Sequence, residues 1–169
     1  TPEVRKAKVE VAELGDRIQV SRSMSGEVLG EGLAYVYGTG TQPVDRTMTV
    51  EWAAPSNLVL TVAIEREQGR SGSQSLHLFT PETATSTHYF YTASILRKHA
   101  GPEQFDAFAA ALARVFLTED KPMIDAQQER IGNRDISELK PALLKIDKAA
   151  VLARRKLEHL ISLEQAGVQ

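Results

Sequence analysis

Cysteine is absent from this chain. That absence removes disulfides, thiolate metal sites and cysteine nucleophiles, and it fits a cytoplasmic protein. It also removes any iron–sulfur cluster held by the chain's own cysteines. An excess of charge of one sign is missing too, since 20 basic residues face 22 acidic ones. No basic stripe points to nucleic acid, and the near balance gives no attraction to an anionic membrane surface. No run of 18 apolar residues occurs, so no membrane-spanning helix is predicted. The opening Thr1-Pro2-Glu3-Val4-Arg5-Lys6 lacks the apolar core of a secretory signal. What is present is 42% hydrophobic content in 169 residues, enough for a core of one domain or one and a half.

Several chemical motifs are missing as well. The four histidines, His77, His88, His99 and His159, include no i,i+4 pair or other short chelating spacing. Gly30-Glu31-Gly32 and Gly38-Thr39-Gly40 are followed by no Gly-Lys-Ser/Thr, so they are not phosphate loops. Gly69-Arg70-Ser71-Gly72-Ser73 misses the spacing of a nucleophile elbow. No Ser/His/Asp triad can be nominated. His77 and His88 each read first as core or edge histidines satisfied by hydrogen bonds. His159 falls on the polar side of the last helix, and Arg154-Arg155-Lys156 reads as a solvated helix face.

The first half reads as β. Lys8 to Glu13 alternates, Gly15-Asp16 signals a turn, and Arg17 to Arg22 alternates again, which makes a hairpin. Gly26 to Gly40 holds five glycines and reads as a loop with one short strand. Thr47–Trp52 and Leu58–Ile64 are strands around the Ala54-Pro55-Ser56-Asn57 turn. Glu67 to Ser73 reads as a loop, followed by strands over Ser75–Phe79 and Thr85–Ala93. The second half reads as α. Gly101-Pro102-Glu103 opens a helix that stops at Gly132-Asn133. Lys140-Pro141 lies in a connector, and Asp147 caps a last helix with a stripe of Ala149, Ala150, Ala153, Leu157, Leu160 and Ile161. Strands followed by helices predict an α+β domain with an antiparallel sheet covered by helix.

Within the long helix, Leu117-Thr-Glu-Asp-Lys-Pro-Met123 is the most informative stretch and a candidate place for a metal ligand. Apolar residues recur at Phe105, Phe108, Leu112, Val115, Phe116 and Met123, so Phe105, Phe108, Leu112 and Phe116 are expected to be buried on one face. At about 100° per residue, the stripe carries Glu119 near its centre and Asp120 near its edge. Carboxylates turned inward need a partner or a metal. Pro122 lacks an N–H and clashes with the preceding turn, so a kink that frees a carbonyl near Thr118 is expected. The same residues also read as a solvated pair at a boundary between two helices.

Three stretches together resemble the C-terminal part of Rieske non-haem iron oxygenases, nearest the vanillate O-demethylase oxygenase type. They are His77-Leu78-Phe79-Thr80-Pro81-Glu82-Thr83-Ala84-Thr85-Ser86-Thr87-His88-Tyr89-Phe90, then Glu119-Asp120-Lys121-Pro122-Met123-Ile124-Asp125-Ala126-Gln127-Gln128, then Leu139-Lys140-Pro141-Ala142-Leu143-Leu144 with the closing helix. Their order and spacing match too, most clearly from about residue 75 to 165. The resemblance implies a helix-grip fold (START/Bet v 1-like), in which an antiparallel sheet packs against a long C-terminal helix. It implies a mononuclear Fe(II) held by two His and one Asp with positions open to O₂. The matching ligand here is Asp120, whereas the helical wheel slightly favours Glu119. It further implies a Rieske [2Fe–2S] cluster on an N-terminal domain, a separate flavin and iron–sulfur reductase fed by NAD(P)H, and a homotrimer in which electrons cross between subunits. The expected substrate is an aromatic small molecule, hydroxylated or demethylated. In O-demethylation one oxygen atom enters a methyl C–H bond, and the hemiacetal collapses to a phenol and formaldehyde. His77 and His88 are candidates to line the substrate pocket.

Two family features are missing: the Rieske cysteines, and the Asp-x-x-His-x-x-x-x-His segment that supplies the other two ligands. Residues 1–169 are therefore expected to be the C-terminal part of an oxygenase catalytic domain, cut just after its second histidine ligand. The rival readings are a stand-alone helix-grip domain that binds a small ligand without catalysis, and a structural domain that completes a trimer interface.

Overall fold

The computed structural model describes residues 7–67, 69–97, 100–135, 138–139 and 141–167. Thr1 to Lys6, His99 and Lys140 lie outside the described residues. Six strands form one antiparallel sheet in chain order: β1 (Lys8–Leu14), β2 (Arg17–Val28), β3 (Pro43–Ala53), β4 (Asn57–Arg66), β5 (Gly69–Pro81) and β6 (Thr87–Ile95). The helices are α1 (Glu31–Tyr37), α2 (Pro102–Val115), α3 (Lys121–Ile131) and α4 (Lys148–Gln165). A π-helical turn, Phe116–Asp120, joins α2 to α3. The fold is α+β, as expected, and no described helix is long and apolar enough to cross a membrane.

Alternation along paired strands divides the sheet into two faces. One cross-strand row runs Val11, Val20, Val50, Leu60, Ser75 and Ala93. The next runs Ile18, Trp52, Leu58, His77 and Tyr91. These rows make the inner face. The opposite face carries Gln19, Ser21, Thr49, Glu51, Thr61 and Gln74, the polar set that water tolerates.

β2 contains a bulge, because its register against β3 shifts between Met24 and Glu27. Gly26 sits in the bulge at φ +65, a conformation L side chains rarely adopt, and its N–H donates to Asp45 Oδ1 at 2.9 Å. The extra residue reverses the alternation. Before it Ile18 and Met24 are buried; after it Glu27 and Leu29 are buried and Val28 is exposed. Glu27 then meets Arg46, whose Nε and Nη2 donate to the carboxylate at 2.8 and 2.7 Å. Both residues are buried, so this is a two-point charge-assisted pair.

The 26–40 stretch is not the expected loop with a strand, since it closes β2 and then forms α1. Gly30 precedes α1 with no side-chain cap, and Gly38 ends it at φ +64. A seven-residue helix is marginal alone. Burial of Ala34, Val36 and Tyr37 holds it, and Tyr37 Oη is 2.7 Å from Ser73 Oγ. These residues form the core with Leu29, Val44, Ile64 and Phe108; Val62, Ala93, Ile95 and Leu112 pack against it.

The loop expected over 67–73 is also shorter than read, since β5 begins at Gly69. Gly72 is required there because a Cβ would fall 2.1 Å from the Val62 carbonyl oxygen. Helix 102–131 keeps its expected ends, but the interruption before Pro122 is a widened turn rather than a simple kink. Only part of the expected stripe is covered: Phe108 is 8% exposed, Leu112 and Phe116 are half-buried, and Phe105 is 40% exposed. Phe105 lines a surface groove with Ala93, Ile95, Gly101 and Pro102. Asp147 precedes α4 but makes no cap; its Oδ2 accepts the Leu144 N–H at 2.8 Å. α4 packs against β2, and Lys156 reaches from the expected solvated run to donate to the Gly15 carbonyl. The helix-grip expectation is therefore met by two helices, with α2 over β4–β6 and α4 at β2.

Phe108→Ala is expected to lower unfolding stability by about 3–5 kcal/mol, the cost of emptying a large core site. Phe105→Ala should cost less, about 1–2 kcal/mol, because its ring is only partly covered. Urea unfolding of both variants checks the difference.

Candidate functional site

β5 and β6 gather polar and aromatic side chains on their inner face. Alternation turns Ser75, His77 and Phe79 inward on β5, and pairing sets them against Ala93, Tyr91 and Tyr89 of β6. His77 is half-buried between two hydroxyls, with Nε2 2.8 Å from Ser75 Oγ and Nδ1 2.6 Å from Tyr89 Oη. Burial holds the His77 pKa below its ordinary value of 6.5, which favours the neutral ring. A neutral imidazole has one donor and one acceptor nitrogen, so one hydroxyl donates to the ring and the other accepts from it.

Aromatic rings surround this pair. Phe79 stacks on Tyr89 at 4.8 Å between centroids, and Tyr89 stacks on His77 at 5.9 Å. Phe116, at the end of α2, sets its edge against Tyr91 at 4.7 Å, Tyr89 at 5.4 Å and His77 at 6.2 Å. Such offset and edge contacts are the favoured aromatic geometries. The π turn continues from Phe116 to Asp120, which is exposed. Burial raises the Tyr89 pKa, and the charge of Asp120 raises it further. Asp120 thus contributes to the electrostatic surroundings of Tyr89 from the end of the π turn that Phe116 opens.

His77 stands on the inner face, Asp120 ends the π turn, and His88 stands on the other side of the sheet. His88 pairs across from Thr80 on the outer face, exposed, with Nε2 3.6 Å from Glu82 Oε1. Glu119 is exposed beside Asp120. His159 is exposed, as read from the sequence. Ser75, Phe79, Tyr89, Tyr91 and Phe116 were not singled out as site residues from the sequence. Their signal was the 75/77/79 and 89/91 alternation, which needs the β5–β6 register to be read. Among the described residues, no group of three or more His, Cys, Asp or Glu converges on a metal position.

The chain belongs to the family described as vanillate O-demethylase oxygenase C-terminal domain, whose model matches residues 1–163. The resemblance seen in the sequence is thus a family relationship. It is 35% identical over 132 residues to the oxygenase component of chloroacetanilide N-alkylformylase from Rhizorhabdus wittichii (strain DC-6 / KACC 16600), covering 75% of this chain and 38% of that protein. It is 31% identical over 137 residues to the oxygenase component of dicamba O-demethylase from Stenotrophomonas maltophilia, covering 78% and 40%. The chain spans half or less of the length of these curated relatives. Its fold is similar to dicamba monooxygenase bound to 3,6-dichlorosalicylic acid, with TM-score 0.84, 26% identity, and 96% of this chain and 49% of that one covered. The structure of dicamba monooxygenase with non-heme iron and dicamba superposes at TM-score 0.75 and 26% identity, covering 94% and 50%.

Both His77 nitrogens are engaged with hydroxyls, and among the described residues no three His, Asp or Glu side chains, Asp120 included, converge on a metal position.

The depressed His77 pKa has a stability consequence. Between the folded pKa and 6.5 the unfolded chain binds more protons, so stability should fall as pH drops through 6.5 towards the folded value. His77→Gln should flatten that part of the curve. Urea midpoints measured from pH 7.5 to about 5 in both proteins check it.

Proposed function

We infer that this chain is the C-terminal part of the catalytic domain of a Rieske-type oxygenase acting on an aromatic acid, by O-demethylation or hydroxylation with O₂ and NAD(P)H-derived electrons. The observation that carries the reading is Asp120, an exposed carboxylate beside an inner-face cluster of His77, Tyr89, Tyr91 and Phe116. The family match and relatives named for dicamba and vanillate O-demethylation support it.

In this reading Asp120 is the chain's one ligand to the mononuclear iron, and the preceding half of the protein brings two histidines and the Rieske [2Fe–2S] domain. Bound iron supplies activation of O₂. The chain's own residues bind and orient. Tyr89, Tyr91 and Phe116 offer ring faces and edges to a planar substrate, in the mostly apolar setting of small-molecule sites. His77, fixed between Ser75 and Tyr89, offers a polar edge to a ring substituent. A separate flavin and iron–sulfur reductase, a homotrimer and a cytoplasmic setting complete the proposal.

The isolated 169-residue chain is expected to hold no stoichiometric iron after reconstitution with Fe(II), because one ligand of three does not retain it. About one tightly bound iron per chain by metal analysis would overturn the ligand assignment. In the full-length protein, Asp120→Ala should abolish turnover and remove the mononuclear iron while the Rieske absorption persists. Glu119→Gln should be milder. Iron content and product formation in both variants decide between the two acids, and iron and turnover both unaffected by Asp120→Ala would overturn the ligand assignment.

A further inference from the structure

We propose that Ser75, acting through His77, sets Tyr89 as a hydrogen-bond donor to an aromatic ligand that presents a neutral acceptor oxygen, such as that of an aryl ether. The proposal rests on the reading of the inner-face cluster as the ligand site. It adds which atom of the cluster meets the ligand, and in which role.

The three side chains share hydrogens in a way that can be counted. Nε2 of His77 is 2.8 Å from Ser75 Oγ, and Nδ1 is 2.6 Å from Tyr89 Oη. A neutral imidazole donates at one nitrogen and accepts at the other, and each hydroxyl brings one hydrogen of its own. Both contacts are therefore made with one hydroxyl hydrogen left over, and the tautomer decides whose it is. If Tyr89 donates to Nδ1, the Nε2–H donates to Ser75 and the Ser75 hydrogen is left. If Ser75 donates to Nε2, the Nδ1–H donates to Tyr89 and the Tyr89 hydrogen is left.

Burial separates the two arrangements. Ser75 is 8% exposed and stands between Leu60 and Ala93 in its cross-strand row. Among the described residues its hydroxyl has no hydrogen-bond partner but His77. Tyr89 is 39% exposed. A buried hydroxyl hydrogen without an acceptor disfavours its arrangement by about tenfold or more, whereas an exposed one is met by solvent. A phenol is the better donor of the two hydroxyls, but that contrast is between bonds that are both made, and it is the smaller effect. Ser75 thus donates to Nε2, the Nδ1–H donates to Tyr89, and Tyr89 keeps its own O–H for a ligand. The polar edge of His77 ends at that hydroxyl, since both ring nitrogens are taken.

The surroundings preserve this state. Burial lowers the His77 pKa, which keeps the ring neutral and Nε2 able to accept. Burial and then the charge of Asp120 raise the Tyr89 pKa, which keeps the phenol protonated. The same negative charge favours a neutral acceptor over an anionic one beside Tyr89. Phe79, stacked on the Tyr89 ring at 4.8 Å, and Phe116, edge-on at 5.4 Å, hold the phenol in place. Tyr89 is the specificity-determining residue in this arrangement, and Ser75 is a positioning residue that acts through His77.

A tautomer measurement and a pair of ligand probes test the proposal. In the 169-residue chain, proton–nitrogen NMR correlations of the imidazoles should place the His77 proton on Nδ1. Tyr89→Phe should keep that tautomer, because Ser75 still donates to Nε2. Ser75→Ala should lose it, because the phenol is then free to donate to Nδ1. In the full-length protein without reductant, affinities for para-methoxybenzoate and para-ethylbenzoate are compared, since the ethyl group has the methoxy shape without its acceptor oxygen. The methoxy-to-ethyl affinity ratio should fall about threefold or more in Tyr89→Phe and in Ser75→Ala, the net effect of one hydrogen bond. A merely structural role for Ser75 would move both probes alike. A wild-type proton on Nε2, a tautomer indifferent to Ser75→Ala, or a ratio unchanged in either variant would overturn the proposal and leave the ligand-site reading standing. Binding of neither probe would overturn that reading, and the proposal with it.

Discussion

The Glu27–Arg46 pair at the β2 bulge is the constraint on which the rest of the architecture depends. A buried two-point ion pair gains little net stability over well-packed apolar residues, but losing one partner strands the other charge at about 3–5 kcal/mol. Its force is therefore in specificity. It requires the extra residue in β2, because without Gly26 in its left-handed conformation Glu27 would face outward. The same reversal of alternation sends Leu29 inward. Leu29 joins Ala34, Val36 and Tyr37 of α1, Tyr37 sets its ring 6.4 Å from that of Phe108, and Phe108 fixes α2. Two turns further on, α2 delivers Phe116 to Tyr89 and Tyr91. A charge pair at one end of the sheet thus determines where an aromatic cluster forms at the other.

The cluster has two tiers with different physics. His77, Ser75 and Tyr89 are held by short hydrogen bonds on paired strands, so their positions are set by backbone register. Phe116 and Asp120 come from a helix end. Their positions depend on side-chain packing and on helix phase, which is a softer control. The Asp120 carboxylate is exposed while the Tyr89 ring that it influences is partly buried.

Legibility from the sequence tracks the range of the forces involved. β1, the first half of β2, β3 and β4 were readable because alternation is local. α1 was not, since its seven residues with Gly32 have weak propensity and form only because Tyr37 and its neighbours find Phe108 and Ile64. The first residues of β5 were misread because Gly69, Ser71, Gly72 and Ser73 have loop composition, while close strand packing in fact demands Gly72. Pro122 announced an irregularity and not its kind, since a kink and a π turn start from the same missing N–H. At the site, His77 and Asp120 were named from the sequence, yet the face of each strand depends on pairing over tens of residues. That is why His88 was grouped with His77 and stands on the other side of the sheet.

The uneven distribution of burial along the helical half sets its order of unfolding. α2 is anchored in the core through Phe108, whereas the π turn, α3 and α4 contain no buried residue. Backbone amides of α3 are therefore guarded by helix hydrogen bonds alone and exchange with solvent through sub-global openings that leave the sheet and α2 closed. Asp120 sits at the seam between these two cooperative units. Its position is decided by a segment without buried residues, whereas the His77–Tyr89 wall is held by paired strands.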